Sequence, residues 1–275
     1  MATTIRKEDR APRSKPVADV KRQSSTALYG RSGTGKTTLA ATWPKPILYL
    51  NIMDNGEESI SDVEDLDVVD IESSDELLEQ VLWLAKKASK GKLIYKTVIV
   101  DTMSQLQGLL TRELAERLNL KLKGKRPGDF GTLTMQHWGL ISGDMIKFIM
   151  DIRQLPVHSV FIAQEKVYNL PDDEGDDGAD QIAPEVGCKL MKSVRKDLEA
   201  SVNILGNTFI RVKVTKEKDP KTKKVTKTIE KLYCLRVGPN EVFTTKIRKP
   251  KGIEAPDYIV DPTFRKLMKI VKGKE

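Results

Sequence analysis

The sequence predicts an α/β fold with a mostly parallel central sheet flanked by helices, and three observations predict it. Short runs rich in β-branched residues alternate with helical patterns from Ser24 to Ala163. Such alternation builds parallel strands whose crossovers cover both faces of the sheet. Gly30-Arg31-Ser32-Gly33-Thr34-Gly35-Lys36-Thr37 fills the phosphate-loop pattern G-x-x-x-x-G-K-[ST] between an apolar strand end, Ala27-Leu28-Tyr29, and a helix start, Thr38-Leu39-Ala40-Ala41. Thr97-Val98-Ile99-Val100 ends on Asp101, a carboxylate at the tip of a run that reads as a buried strand.

Taken in order, Met1 to Arg22 is polar, contains Pro12 and Pro16, shows no apolar period and reads as a flexible arm. A strand over Ser25–Gly30 leads to a helix over Lys36–Thr42, which Trp43 closes because the residue before Pro44 disfavours helical geometry. Strands follow at Ile47–Ile52 and Asp67–Ile71. Ser73 and Glu76 form a capping box for a helix over Ser73–Lys90, whose apolar stripe is Leu77, Leu78, Val81, Leu82 and Leu84. A strand over Tyr95–Asp101 precedes a helix over Ser104–Leu120, and a helix over Leu140–Gln154 precedes a strand over Val157–Ala163.

Two long loops interrupt this part. Lys121–His137 begins with Lys121, Lys123, Lys125 and Arg126, whereas Val167–Glu185 is strongly acidic; loops of this length are usually functional or mobile. Past Asn207 the pattern becomes antiparallel, with alternating runs Thr208–Thr215 and Ile229–Val237 joined by a Lys-rich tip, Lys216–Thr228. A short strand is expected near Val242–Thr244. The last helix is expected to take Asp261 as N-cap and Pro262 at its first position, with Phe264, Leu267, Met268 and Val271 facing the core. The expected organisation is a basic arm over 1–23, an ATPase-type core over 24–206 and a basic hairpin-plus-helix unit over 207–275.

With 275 residues, 39% hydrophobic and 31% charged, the chain has material for a sizeable core. No apolar run approaches the roughly 20 residues that span a bilayer, and the start lacks the apolar centre of a signal peptide, so a cytoplasmic protein is expected. Cys188 and Cys234 are too few for a disulfide framework and lack metal-ligand spacing. The net charge of +8 divides into +4 for residues 1–23, −7 for 24–206 and +11 for 207–275. Basic ends around an acidic centre suit a polyanionic partner, or else simply a solvated surface.

The motif carries its own chemistry. The loop Gly30, Arg31, Ser32, Gly33, Thr34, Gly35 turns its N–H groups toward phosphate oxygens, the helix opening at Lys36, Thr37 and Thr38 adds positive potential, and Lys36 reaches the β- and γ-phosphates. Thr37 and Asp101 are the expected Mg²⁺ ligands. Hydrolysis also needs a group that orients or deprotonates water, and Asp54 and Glu57, after the strand ending at Ile52, are the candidates; both also read as acids of a solvated loop. Gln164, at the expected end of its strand, is placed either to sense the γ-phosphate or to face solvent. Lys246, Arg248 and Lys249 are read as fingers completing a neighbouring subunit's site, or as part of the basic surface. Phe130, His137 and Trp138 lie near the basic loop, where they could stack on bases; for Trp138 the core is the expected place.

In order and spacing these pieces resemble the RecA-like recombinase core, most closely the short phage proteins of the Sak-four type. The residues that carry the resemblance are Tyr29 to Thr38, Ile47-Leu48-Tyr49-Leu50, Val98-Ile99-Val100-Asp101-Thr102, Val160-Phe161-Ile162-Ala163-Gln164-Glu165 and Thr245-Lys246-Ile247-Arg248-Lys249-Pro250, over roughly 24–272. The resemblance implies an ATP- and Mg²⁺-dependent homo-oligomer, ring or filament, with ATP at subunit interfaces. Such an oligomer binds single-stranded DNA and promotes annealing or strand exchange, and a phage single-strand binding protein is a further candidate partner. It also implies that Lys121, Lys123, Lys125 and Arg126 face the DNA. Two places depart from the family. The acidic 167–185 loop stands where a neutral or basic loop belongs, and Asn51-Ile52-Met53 replaces the family's Asp-x-Glu. The rival readings are a P-loop switch or motor acting on a protein partner, and a small-substrate kinase.

Overall fold

The computed structural model describes residues 23–54, 56–118, 133–168, 184–218 and 225–273. The β-branched runs pair side by side. Strands β1 (Ser25–Gly30), β2 (Ile47–Ile52), β3 (Leu66–Ile71), β4 (Thr97–Asp101), β5 (His158–Tyr168), β6 (Glu185–Cys188), β7 (Ile204–Lys218), β8 (Val225–Arg236), β9 (Lys246–Ile247) and β10 (Tyr258–Val260) form one sheet. Its order is β10-β8-β7-β1-β5-β4-β2-β3, with β6 on β5 and β9 on β7. From β3 to β7 the neighbours on this path run parallel, and β8, β10, β6 and β9 add antiparallel pairings. Strand β7 crosses the expected 206/207 division, since Ile204 to Thr208 lie beside Thr26 to Gly30 of β1.

Alternation along the strands sends side chains to two cores. On one face Leu48, Leu50, Val98 and Val100 meet α2 (Ser74–Ser89), α3 (Met103–Arg117), α4 (Met135–Gln154) and α5 (Lys192–Ser201) through Leu84, Leu106, Ile149 and Val194. On the other, Ile47, Tyr49 and Ile99 meet α1 (Lys36–Ala40), Trp43, Ile60 and Leu267 of α6 (Phe264–Lys272). The strands in the middle of the sheet are buried on both sides, which is why they read as continuous apolar runs. Among the described residues no helix is long and apolar enough to cross a membrane. Cys188 and Cys234 are free and buried.

Several boundaries differ from expectation, each for a local reason. The Ser73–Glu76 capping box forms as expected. Helix α1 stops at Ala40, and Thr42 turns its hydroxyl onto Leu39 O and accepts from the Phe264 N–H, docking α6. Helix α4 starts at Met135, five residues before the expected Leu140, because Thr134 caps it and His137 closes the box. Helix α6 is capped by Thr263 in place of Asp261. Asp261 adopts a positive φ of 45°, and its carbonyl and that of Val260 accept from Lys266 Nζ. Near Val242–Thr244 there is an isolated bridge, Val186 to Phe243, and the short strand falls at Lys246–Ile247. Trp138, expected in the core, stands 36% exposed.

Candidate nucleotide site

The phosphate loop closes because of its glycines. Gly35 has φ +81°, a left-handed geometry that side chains resist. Gly30 is needed for space: a Cβ there would lie 2.3 Å from Thr208 Oγ1 and 2.5 Å from Thr208 O on β7. Thr34 ties the loop down, donating to Arg31 O at 2.8 Å and sharing a 2.6 Å hydrogen bond with the Thr208 hydroxyl. The Arg31 guanidinium reaches across to Glu165 at 2.9 Å. Lys36 folds over the loop and donates to Gly30 O at 3.1 Å and Arg31 O at 2.8 Å. Burial holds its pKa below the ordinary lysine value, against the pull of Asp101, Asp54 and Glu165.

Strand β4 brings Asp101 to the same place. Thr37 Oγ1 donates to Asp101 Oδ2 at 2.8 Å, and the Tyr49 hydroxyl from β2 donates to the same oxygen at 2.8 Å. The carboxylate is buried. Desolvation raises its pKa; the bonds from Thr37 and Tyr49 work against this, Asp54 adds to it, and Lys36 opposes it. A buried carboxylate with a hydroxyl at its tip and its charge disfavoured by burial fits a divalent cation, which would supply the missing compensation. Gly56 frames this corner, since a Cβ on it would lie 2.7 Å from Tyr49 Oη, 3.1 Å from Asp101 Oδ2 and 3.3 Å from Thr37 Oγ1.

Thr37, Gly56, Asp101, Glu165 and Thr208 line one open cleft of about 1480 Å³ with the whole of Gly30 to Thr38 on its floor, and Tyr49 stands behind Asp101. Of the two acids named from the sequence, Asp54 lines it; Glu57 is not among the described lining residues, and Glu58 is. Glu57 is half-buried, with Oε2 lacking a hydrogen-bond partner among the described residues. Gln164 lines the cleft too, although β5 runs on past it to Tyr168 to pair with β6. Its side-chain carbonyl accepts from Lys189 Nζ at 3.1 Å, its backbone carbonyl accepts from Lys189 N at 2.7 Å, and its N–H donates to Ser104 Oγ, which in turn donates to Lys189 O.

Lys246, Arg248 and Lys249 lie elsewhere. Lys246 donates to Glu199 O and, at 3.1 Å, to Ala200 O, while Arg248 donates to Ala200 O at 2.9 Å, so both hold the carbonyls that end α5 in their own chain. Lys249 donates to Ile253 O. Lys121, Lys123, Lys125, Arg126 and Phe130 lie outside the described residues, as do residues 169–183 of the acidic loop.

Sequence reading missed Tyr49, Gly56, Glu58, Glu165 and Tyr233. Tyr49 could have been found, because on β2 it alternates with Leu48 and Leu50 and carries a hydroxyl into an otherwise apolar strand. Tyr233 comes from far along the chain, yet its ring lies 3.3 Å from where a Cβ on Gly35 would be. A family model described as an AAA domain matches residues 22–248. No curated protein matches the chain.

Proposed function

The chain belongs to the AAA domain family, and from that premise we propose that it is a Mg²⁺-dependent ATPase that works on single-stranded DNA, promoting annealing or strand exchange as a homo-oligomer. The observation that carries the ATPase reading is the meeting of Lys36, Thr37 and Asp101 at one end of a cleft floored by the phosphate loop. Bound there, ATP supplies the phosphoryl group and Mg²⁺ neutralises the charge that develops on it. The loop N–H groups and Lys36 bind phosphate oxygens, Lys36 exchanging its bonds to the Gly30 and Arg31 carbonyls for them. Thr37 and Asp101 are the residues that hold the cation. Asp54 takes the proton of the attacking water in preference to Glu57, because Asp54 lines the cleft. Gln164 senses the γ-phosphate from the neighbouring strand, and Lys246, Arg248 and Lys249 reach a neighbour's site only by leaving the carbonyls they now hold.

Support for DNA as the partner comes from charge and from connectivity. Basic segments flank an acidic centre, and the cations Lys121, Lys123, Lys125 and Arg126 are gathered in one stretch. Gln164 is bonded to Lys189, so a change at the cleft is passed to the segment that opens α5. One observation favours a protein partner instead. The β7–β8 pair carries Ile210, Val212, Val214, Ile229 and Tyr233 exposed, and the register places them together on one face.

The deciding experiment is steady-state ATP hydrolysis with Mg²⁺ at low salt, with and without saturating single-stranded DNA. DNA stimulation is the expected result. Turnover indifferent to DNA, with ATP binding intact, would favour the protein-partner switch. Charge reversal of Lys121, Lys123, Lys125 and Arg126 to Glu is expected to abolish DNA binding and spare ATP binding.

A further inference from the structure

A shallow groove lies between the opening turns of α4 and α5, apart from the nucleotide cleft. Its floor is the hydrogen bond that joins the helices, Ser142 Oγ to Ser193 Oγ at 2.7 Å. Trp138 and Met191 form its apolar walls, and Lys192 and Lys196 stand on its rim. The two lysines are four residues apart on one helix and so share a face, both exposed. Neither lysine forms an ion pair among the described residues. The opposite side of α5 is committed to the core, with Val194 and Leu198 buried and Arg195 paired to Glu185 at 3.1 Å. Trp138 is the unexpected member: a large aromatic held half out of the protein beside two cations.

We propose that this groove is a base-stacking subsite for single-stranded nucleic acid, with Trp138 as the platform under one base and Lys192 and Lys196 on the flanking phosphates. The inference rests on the DNA reading above and gives it a location. An aromatic face takes any base without sequence preference, and cations spaced along a helix face track the backbone; this is the combination that non-specific single-strand binding uses. A peptide could bury Trp138 equally well, but it would gain nothing general from two exposed lysines, whereas a polyanion gains from both.

The groove is also wired to the cleft. Met191 N–H donates to Gln107 Oε1 at 2.6 Å, and Lys189, two residues earlier, holds both carbonyls of Gln164. Movement of Gln164 toward a phosphate therefore pulls on the segment that carries Met191 and Lys192. The subsite is thus expected to bind DNA more tightly when the cleft is filled.

The test is fluorescence anisotropy of labelled oligo(dT) with the full chain and Mg²⁺–ATP, across a salt series, with ATP binding measured on every variant as the check of folding. Trp138→Ala is expected to weaken binding by roughly 5- to 150-fold, the range for losing one stacked base, and Trp138→Phe to retain most of it. Lys192→Gln with Lys196→Gln is expected to reduce the slope of log K against log salt by about 1.4, at ~0.7 for each phosphate of a single strand left unneutralised. Full affinity in Trp138→Ala, with an unchanged slope in the lysine pair, would overturn the groove while leaving the DNA reading in place. Absence of oligo(dT) binding by the unaltered chain would overturn both.

Discussion

The Thr37 hydroxyl donates a 2.8 Å hydrogen bond to Asp101 Oδ2, joining residues 64 apart in sequence at the end of the phosphate loop. Helix α1 supplies one group and strand β4 the other, although β4 is separated from β1 by β5. Asp101→Asn is therefore expected to leave a folded protein that still binds nucleotide but shows little dependence on Mg²⁺, measurable by calorimetry with and without the cation. Lys36→Ala is expected to eliminate nucleotide binding altogether. Undiminished ATP affinity in a folded Lys36→Ala protein would refute the assignment of the loop.

The pH behaviour follows from the raised pKa of Asp101, caused first by burial. In metal-free protein the folded state keeps a proton that the unfolded chain releases between the ordinary aspartate value and the raised one. Stability from this group is therefore greatest below the ordinary value and falls as pH rises through the raised one. A cation lowers that pKa, so Mg²⁺–ATP binding weakens as pH falls through the same window. Thermal melts of the unaltered chain and of Asp101→Asn across this range are expected to differ in slope, and parallel curves would show that Asp101 does not titrate there.

Gly56→Ala tests the corner beside the carboxylate. Its new Cβ would meet Tyr49 Oη at 2.7 Å, closer than such atoms approach, so the hydroxyl must move and with it the bond that orients Asp101. Loss of Mg²⁺–ATP affinity is expected, with partial recovery on adding Tyr49→Phe, which removes the nearest atom. Equal affinity in Gly56→Ala and the unaltered chain would mean that this corner does not touch the ligand.

Lys189→Met removes the donor that grips the Gln164 side chain and leaves the cleft's own groups in place. Unstimulated ATP turnover is expected to persist while stimulation by DNA disappears. Stimulation that survives in full would show that the signal takes another route.

Arg248→Ala removes one of the two cations at the C-terminus of α5, since the guanidinium and Lys246 both hold Ala200 O. Cations at such ends contribute about 0.3–1 kcal/mol, which at ~2–4 °C per kcal/mol for a chain near this size is a fall of about 1–4 °C in Tm. A denaturation scan checks this, and an unchanged Tm would mean that the bond adds nothing in solution.

How far the sequence could be read depended on whether the signal was local. The capping box at Ser73 and Glu76, the β4 run ending on Asp101 and the glycine pattern from Gly30 to Gly35 each depend on neighbours within one turn or one strand, and each was legible. Where a distant partner competes, local rules misled. Asp261 before Pro262 reads as an N-cap, yet Thr263 caps α6, while the Phe264 N–H bonds to Thr42, more than two hundred residues away in the chain. Gln164 reads as a strand end because its apolar run stops, but pairing with β6 carries the strand to Tyr168.

By itself, then, the sequence determined the class of fold and the phosphate loop, and it singled out Thr37 and Asp101, which the fold brings together, because short-range periodicity, turn chemistry and motif spacing are properties of adjacent residues. Only the tertiary structure decided that Asp54 and Glu58 are the acids after β2 that line the cleft, that Tyr49 and Gly56 frame Asp101, that Lys246 and Arg248 hold α5, and that Trp138 stands in the open beside Lys192 and Lys196. Those relationships depend on strand order and on which helix crosses which face. They are set by burial of the two apolar cores between segments far apart in the chain, a sum that no single stretch of residues contains.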